Sequence, residues 1–580
     1  MRTRWWTMHG TGFVLLLALV GSGGCGKGQG GGGAAPPPVQ VIPPVAGAPY
    51  VLYTDILSGP TTGGENGKGA YLSIFGMNFG ATGLGSSVRV FVNDVEVDNY
   101  RYLGLPRGRP DIQQITVQVG ALGNPAQGVA LPIKVVVDGV ASNVDHTFIP
   151  NPGRMLFVDN VSGDDATAVP GDVHHPYRHV GLTGSTTSAF GAAQPGDIIV
   201  MRGTGAPWVD LAYNDSYFLR FKGKNGSAPA GSAGTGPFTL MAYPNEDVFI
   251  DLPPSTGAAG GIAGVDTTAY AGGQWISIAD LRIEAGGDAG PIAVQIAGDH
   301  WRIVNTELTA TTGLPTAKAA GINGNGTNSY WVGNHIHAIY GSPVNLEEHG
   351  IYIDGDGSYE IAFNVIDDVK GGSGFQIYVN GGNGSDSCNS VSLHHNVIHG
   401  IAKHGINVAD GSQNAIQVYD NLVFDVVQAG LRFNTNTLHG AKIWNNTFAN
   451  TNTNGSSYQG AITNDWNLPA DALDMENNIF SPTTSATPYS GGSVGLSAGV
   501  GRVTHNLYYG GAGAASFDSA PVSGDPRFAT PGSDFHLAPD SHAIDAGSTA
   551  VSSLVSTDYD VLTVRPQGRG FDIGAYEHKP

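Results

Sequence analysis

The sequence predicts an all-β protein: a β-sandwich followed by a right-handed parallel β-helix solenoid. Three observations predict it. First, seven segments repeat one pattern, an apolar residue, two variable positions, an Asn, one variable position and an apolar residue, centred on Asn334, Asn364, Asn396, Asn421, Asn446, Asn478 and Asn506. Successive gaps are 30, 32, 25, 25, 32 and 28 residues, with a looser copy at Asn305. Repeats of this length with strand-like content are the signature of a solenoid, and one buried Asn per turn can stack into a ladder in which each amide bonds the next. Second, Gly followed by an apolar residue recurs between them, at Gly321, Gly350, Gly374, Gly405, Gly430, Gly460 and Gly495. Third, the composition holds 87 Gly and only 13% charged residues, and helix-period apolar patterns are hard to find beyond the N-terminus.

The elements follow in order. Residues 1–24 read as a signal peptide, with Arg2 and Arg4 as the basic region and Phe13 to Val20 as an apolar core too short to span a bilayer. Ser22-Gly23-Gly24-Cys25 resembles a bacterial lipoprotein box, although Ser22 stands where Leu is usual. That resemblance implies lipidation of Cys25 and a chain anchored to the bacterial envelope, at the outer membrane, with plain secretion as the alternative. Residues 25–47 are nearly all Gly, Ala, Pro, Val and Gln and read as a flexible tether.

Residues 48–150 carry short alternating runs, such as Val88 to Asn93 and Ile133 to Val140, split by Gly and Asn. Several short strands at this spacing predict a sandwich. The runs Ile74-Phe75-Gly76-Met77-Asn78-Phe79-Gly80 and Val137-Asp138-Gly139-Val140-Ala141-Ser142-Asn143 resemble the immunoglobulin-like IPT/TIG domain. Residues 155–580 are assigned to the solenoid and its closing segment. Phe157-Val158-Asp159 and Gln194-Pro195-Gly196-Asp197 at its start, with Asp572-Ile573-Gly574-Ala575-Tyr576-Glu577 at its end, resemble the pectate-lyase-like superfamily. That superfamily holds lyases, glycosidases, epimerases and adhesins, so it implies architecture more than activity.

Charge excludes one class of partner. The formal net charge is −21, and loss of the signal peptide leaves 25 basic against 48 acidic side chains, near −23. Nucleic-acid binding is not expected at that balance. A polysaccharide is the expected partner, the membrane is met through the lipid anchor alone, and a monomer is expected. Of the two cysteines, Cys25 is assigned to lipid and Cys388 is read as structural.

Side chains alternate along a strand. With the apolar residue of each Gly-apolar pair inward, Tyr352, Gln376, Asn407 and Arg432 share one outward column, and Tyr378 and Asn434 lie two residues further along. Amides, phenols and a guanidinium in a row suit a sugar chain. The connections leading into these strands carry His337, Asp367 and His399, then Glu347, Glu348 and His349, Asp368 and Lys370, and Lys403 and His404. Between residues 300 and 500 there are only six Lys or Arg, and Lys370, Lys403 and Arg432 are three of them. Titratable groups converging on a groove are what proton abstraction requires.

Lyases of the resembled superfamily abstract a proton beside a uronate carboxylate with a Lys or Arg base, often with Ca²⁺ on the carboxylate. The resemblance therefore implies His349, Lys370, Lys403, His404 and Arg432 as catalytic candidates, Tyr352, Gln376, Tyr378, Asn407 and Asn434 as substrate contacts, and Asp354, Asp367 and Asp368 as Ca²⁺ ligands. No complete lyase signature is present, and the Asp-Pro-His motif of related epimerases is absent. The functional expectation is a polysaccharide lyase acting by β-elimination, with a non-catalytic glycan-binding or adhesion protein as the alternative. His335-x-His337 puts two imidazoles on one strand face but has no clear third ligand, so a structural metal is not expected there, and the adjacent His394 and His395 are expected on opposite faces.

Overall fold

The structure is a computed structural model. It describes residues 44–580 apart from 82, 84–86, 182–186, 210–216, 222–230, 253–259, 264–273, 288–289, 312–318, 342–347, 379–388, 410–412, 415 and 483, with the backbone alone at 297, 354–356, 389 and 413–414. Cys25 and Cys388 lie outside the described residues, as do the expected signal segment and nearly all of the tether. No helix among the described residues is long and apolar enough to cross a membrane.

Alternation in the first segment yields two sheets. One holds Tyr50–Thr54, Tyr71–Met77, Gln113–Gln118 and Asn99–Gly104, the other Ser58–Gly59, Thr147–Pro150, Leu131–Val137, Val88–Val92 and Val95–Glu96. Inward residues of both, among them Leu72, Ile74, Val90, Ile115, Ile133 and Phe148, fill the space between them.

The solenoid opens at Met155–Val158 and stacks parallel strands on three faces, two of which are joined by shared strands into one sheet. We call them by their place in each coil. The groove sheet includes Phe375–Tyr378, Ile406–Val408, Leu431–Phe433 and Ile462–Asn464. The pre-corner sheet includes Asn389–His394, Ile416–Tyr419, Ala441–Trp444 and Leu473–Glu476. Among the described residues the post-corner sheet has 11 strands, from Phe249–Leu252 to Val522–Ser523. Two long strands, Ala320–Val332 and His349–Ala362, run through both the groove and pre-corner sheets.

The ladder makes the corner. All seven Asn side chains are fully buried. Each Nδ2 donates to the Oδ1 of the next Asn, from Asn334 to Asn364 at 2.9 Å through Asn478 to Asn506 at 2.8 Å. Each of those Oδ1 atoms also accepts the backbone N–H of the preceding ladder Asn. The chain turns because the residue before each ladder Asn is left-handed: Gly333, Phe363, His395, Asp420, Asn445, Asn477 and His505 have φ between 49° and 69°. The ladder stops on an acceptor. Asp518 Oδ2 takes the Asn506 amide at 2.8 Å and the Tyr508 hydroxyl at 3.1 Å. At the other end Thr306, not Asn305, occupies the ladder position, and its N–H reaches Asn334 Oδ1 at 3.0 Å. Asn305 is the left-handed residue one place earlier.

The Gly-apolar pattern has a packing cause. A Cβ on Gly321, Gly350, Gly374 or Gly405 would stand 2.3–2.5 Å from a methyl of Ile336, Ile366, Ile398 or Val423 on the post-corner sheet. The row continues through Gly430 to Ala461, so Gly460 falls one residue before it. Gly495 lies beyond the last groove strand, Ser490–Gly491.

The corner is covered from outside. Tyr50, Tyr53, Phe75 and Ile112 of the sandwich pack on Val304, Val332, Ala362 and Phe363, and the sandwich core runs on into Phe157, Val200 and Met241 of the first coils. Further along, the C-terminal strap docks. Asn445 Nδ2 donates to the carbonyls of Asp572 and Gly574, and the Ala575 N–H to Thr447 Oγ1. Buried Arg565 pairs with Asp420 at 3.1 Å and Glu577 at 2.9 Å. The two covers meet at Arg109, which donates to the His395 carbonyl and faces the rings of Phe363 and Tyr559.

Candidate functional site

Strand register fixes the site. Tyr352, Gln376, Asn407, Arg432 and Thr463 stand opposite one another on successive groove strands. Neighbouring coils lie about 4.8 Å apart, so the first four span about 15 Å. Asn407 Nδ2 donates to Gln376 Oε1 at 2.8 Å, and Tyr352 lies between the rings of His349 at 5.1 Å and Tyr378 at 6.1 Å.

The groups entering these strands gather at one edge of the column. Glu348 is fully buried, and a Cβ on Gly341 or Gly371 would collide with its carboxylate. Bare glycine backbone is therefore what makes room for a buried acid there. Lys403 is partly buried, and its pKa is pushed down by burial and then by the Arg432 charge, with Glu348 pulling the other way. His404 is held well below the usual histidine range by burial, then by Arg432, Lys403 and His349. A cation taken from water beside a like charge gives up its proton more readily.

Arg432 is anchored. Its Nη2 lies 2.7 Å from Asp465 Oδ2, and Asp465 also accepts from the Tyr458 hydroxyl and the Ser493 N–H. Burial works against the Asp465 charge, but these hydrogen bonds outweigh it and hold its pKa low. Two aromatic side chains complete the surface. Trp466 is 45% exposed and donates from Nε1 to Asn434 Oδ1 at 3.0 Å, and Tyr458 is 48% exposed. Sequence reasoning passed over Asp465, Trp466 and Tyr458. The signal was Asp465-Trp466 directly after the strand Ile462–Asn464, one coil beyond Arg432.

Several expected residues go elsewhere or sit deeper. His404 and His349 are 2% and 5% exposed, and each stands directly before an inward glycine, Gly405 and Gly350. Neither is the open side chain expected: His349 accepts the Ser373 N–H at 3.2 Å and faces the Tyr352 ring, and His404 feels the charges of Arg432 and Lys403. Lys370 turns to Asp368 and the Tyr340 ring. Asp367 binds His335 at 2.8 Å and Asp368 the Tyr340 hydroxyl, both on the post-corner sheet, so neither supplies a Ca²⁺ ligand to the groove. The Asp354 side chain is not among those described; its backbone pairs with Tyr378. His399 stacks on Phe424 at 4.9 Å on the post-corner sheet. His394 and His395 do meet, Nδ1 to Nδ1 at 2.8 Å, because left-handed His395 breaks the strand alternation.

No protein-family model matches the chain. No curated protein matches it either. Among solved structures, a GH136 lacto-N-biosidase from Eubacterium ramulus aligns with a TM-score of 0.35 at 11% identity, over 63% of this chain and 66% of that one. The chain thus spans just under two thirds of that protein. At this level the two share too little geometry for that enzyme's chemistry to be carried across.

Proposed function

We propose that the groove binds a uronate-containing polysaccharide and cleaves it by β-elimination. The observation that carries this reading is the Lys403–Arg432 pair, a lysine with a lowered pKa beside an anchored guanidinium, on a column of amides and phenols. Arg432 neutralises the uronate carboxylate. That acidifies the adjacent ring C–H, and the Lys403 amine takes its proton. The electron pair forms the ring double bond, the bond to the leaving oxygen breaks, and Tyr378 supplies the hydroxyl that returns a proton to that oxygen. Gln376, Asn407 and Asn434 bind sugar hydroxyls, and Trp466 offers an apolar face to a ring. Of the five catalytic candidates, Lys403 and Arg432 act directly, His404 lies beside them, His349 orients the Tyr352 ring, and Lys370 is set aside.

One observation favours binding without cleavage: the charge of Arg432 is already met by Asp465 at 2.7 Å. Incubation with pectin, alginate and glycosaminoglycan panels, with and without Ca²⁺, separates the two. Ultraviolet absorbance from unsaturated product supports the lyase. Retention on a glycan array with no product supports the binder and ends the lyase reading.

The remaining assignments are proposals of the same standing. They are an IPT/TIG-like identity for the sandwich, membership of the pectate-lyase-like superfamily, and a lipid on Cys25 that anchors the chain to the bacterial envelope. A fatty-acid probe that labels the chain but not its Cys25→Ser variant is the expected result. Equal labelling of both would end the anchor proposal.

A further inference from the structure

We propose that His335, His337 and Asp367, with Glu307 as fourth ligand, form a binding site for a divalent transition-metal ion of the zinc type. The site lies on the outer face of the post-corner sheet, away from the groove, and does not rest on the glycan reading.

Four observations on different levels converge there. In the strand His335–Tyr340 the two histidines alternate onto one face, with ring centroids 4.2 Å apart and planes 24° apart. Register sets Glu307 level with His335 on the preceding coil, and Val365 level with it on the following coil, so Asp367 lies beside His337. Contacts cross this square: His335 Nε2 is 2.8 Å from Asp367 Oδ2, and His337 Nε2 is 3.1 Å from Glu307 Oε1. One donor atom each from His335, His337 and Asp367 lie within 4.8 Å of one another.

The backbone is shaped for it. The pairing slips between Leu308 and Ala310, and Ala338 takes up the extra residue with φ of 50°. An alanine in that region is strained, and a bulge of this kind re-aims the side chains beside it. The surroundings hold the ligands in place. Arg107 of the sandwich donates to Glu307 Oε2 at 3.3 Å and so orients that carboxylate. The sandwich also closes over His335 at Gly108, where a Cβ would come within 2.7 Å of the histidine Cβ.

Ligand chemistry names the ion. Two imidazoles and two carboxylates favour a borderline metal such as zinc over calcium, which takes six or more oxygens. Zn–N and Zn–O bonds of about 2.0–2.2 Å put the donors of a tetrahedral shell roughly 3.3 Å apart, so the donors of His335, His337 and Asp367, within 4.8 Å of one another, need to close by at most about 1.5 Å, and Glu307 Oε1 already lies 3.1 Å from His337 Nε2. Metal would replace the protons now shared across the two His–carboxylate contacts. Its ligands come from three successive coils under a sandwich loop, so it would tie the coils together where the sandwich docks.

The test is zinc binding by the full chain. Stripped protein is dialysed against Zn²⁺, bound metal is measured by atomic emission, and affinity is measured by competition with a chelating dye. The expected result is one tightly held Zn²⁺ per chain, undisturbed by excess Ca²⁺, with affinity lowered at least a hundredfold in His337→Ala and in Asp367→Asn. His439→Ala, in an exposed His–Asp pair elsewhere, should leave binding unchanged. Where His337→Ala fails to fold, Asp367→Asn decides alone, as a change of one atom. No stoichiometric zinc in the stripped and reloaded protein, or full retention in both site variants, overturns the proposal.

Discussion

The ladder corner and the groove come from the same repeat and are both polar, yet they differ in how completely their polar groups are satisfied. At the corner every ladder amide donates and accepts, the stack ends on Asp518, and the sandwich and strap cover it. On the groove side, His404 Nδ1 and Asn407 Oδ1 are buried without a hydrogen-bond partner among the described residues, and Lys403 sits beside another cation. Satisfied buried polarity rigidifies a fold, whereas unsatisfied polarity costs stability and marks where a ligand can bond. Stability lies on the ladder side of the coil, and the proposed chemistry on the groove side.

Breaking the corner should have the largest effect on stability. Asn421→Ala removes donations to Asn446, Leu393 and Tyr419 and the acceptor for Asn396. Each buried group left unpaired costs about 1–3 kcal/mol, so a loss of roughly 3 kcal/mol is expected in denaturant unfolding. An unchanged midpoint would mean that the ladder is replaceable by water. Arg432→Ala should lower turnover on a uronate substrate about a hundredfold, equivalent to about 2.7 kcal/mol of barrier. Lys403 should then titrate higher, because one of the two causes that lower its pKa is gone. A pH–rate profile that keeps its shape would remove Arg432 from the site.

Acid sharpens the comparison further. His404 and His395 are held neutral by burial. The unfolded chain takes up their protons as pH falls through about 6.5, so their contribution is complete above that pH and is lost as pH drops toward the lower folded values. Melting temperature should fall from pH 7 to pH 5, and His404→Gln should flatten the fall; a parallel slope in the variant would contradict this. The smallest effect is expected for Trp466→Ala, which should weaken glycan binding by about 1 kcal/mol with no change in melting. Unaltered affinity on an array would place the sugar elsewhere along the column.

Much of this was legible in the sequence because solenoid register is written in residues. Seven Asn at one position per coil give the corner, and Gly before an apolar residue gives the outward column from Tyr352 to Arg432. The reading failed where local backbone overrides periodicity. Left-handed His395 brings together two histidines expected apart, and the ladder position in the earlier coil belongs to Thr306. Depth was hidden as well. His404 and His349 border inward glycines and are buried, which no polarity pattern records. Asp367 was visible as a rim residue, but its place beside His337 emerges only from strand pairing.

The most direct test of the account is the initial rate of unsaturated-product formation by Lys403→Met, measured on a uronate polysaccharide at a temperature where circular dichroism shows the variant folded. The account predicts a fall of about a hundredfold or more with melting temperature unchanged or slightly raised, since a partly buried cation is replaced by an apolar chain of similar length. A variant that cleaves at the parental rate, or that loses rate only in proportion to lost folded protein, would contradict it.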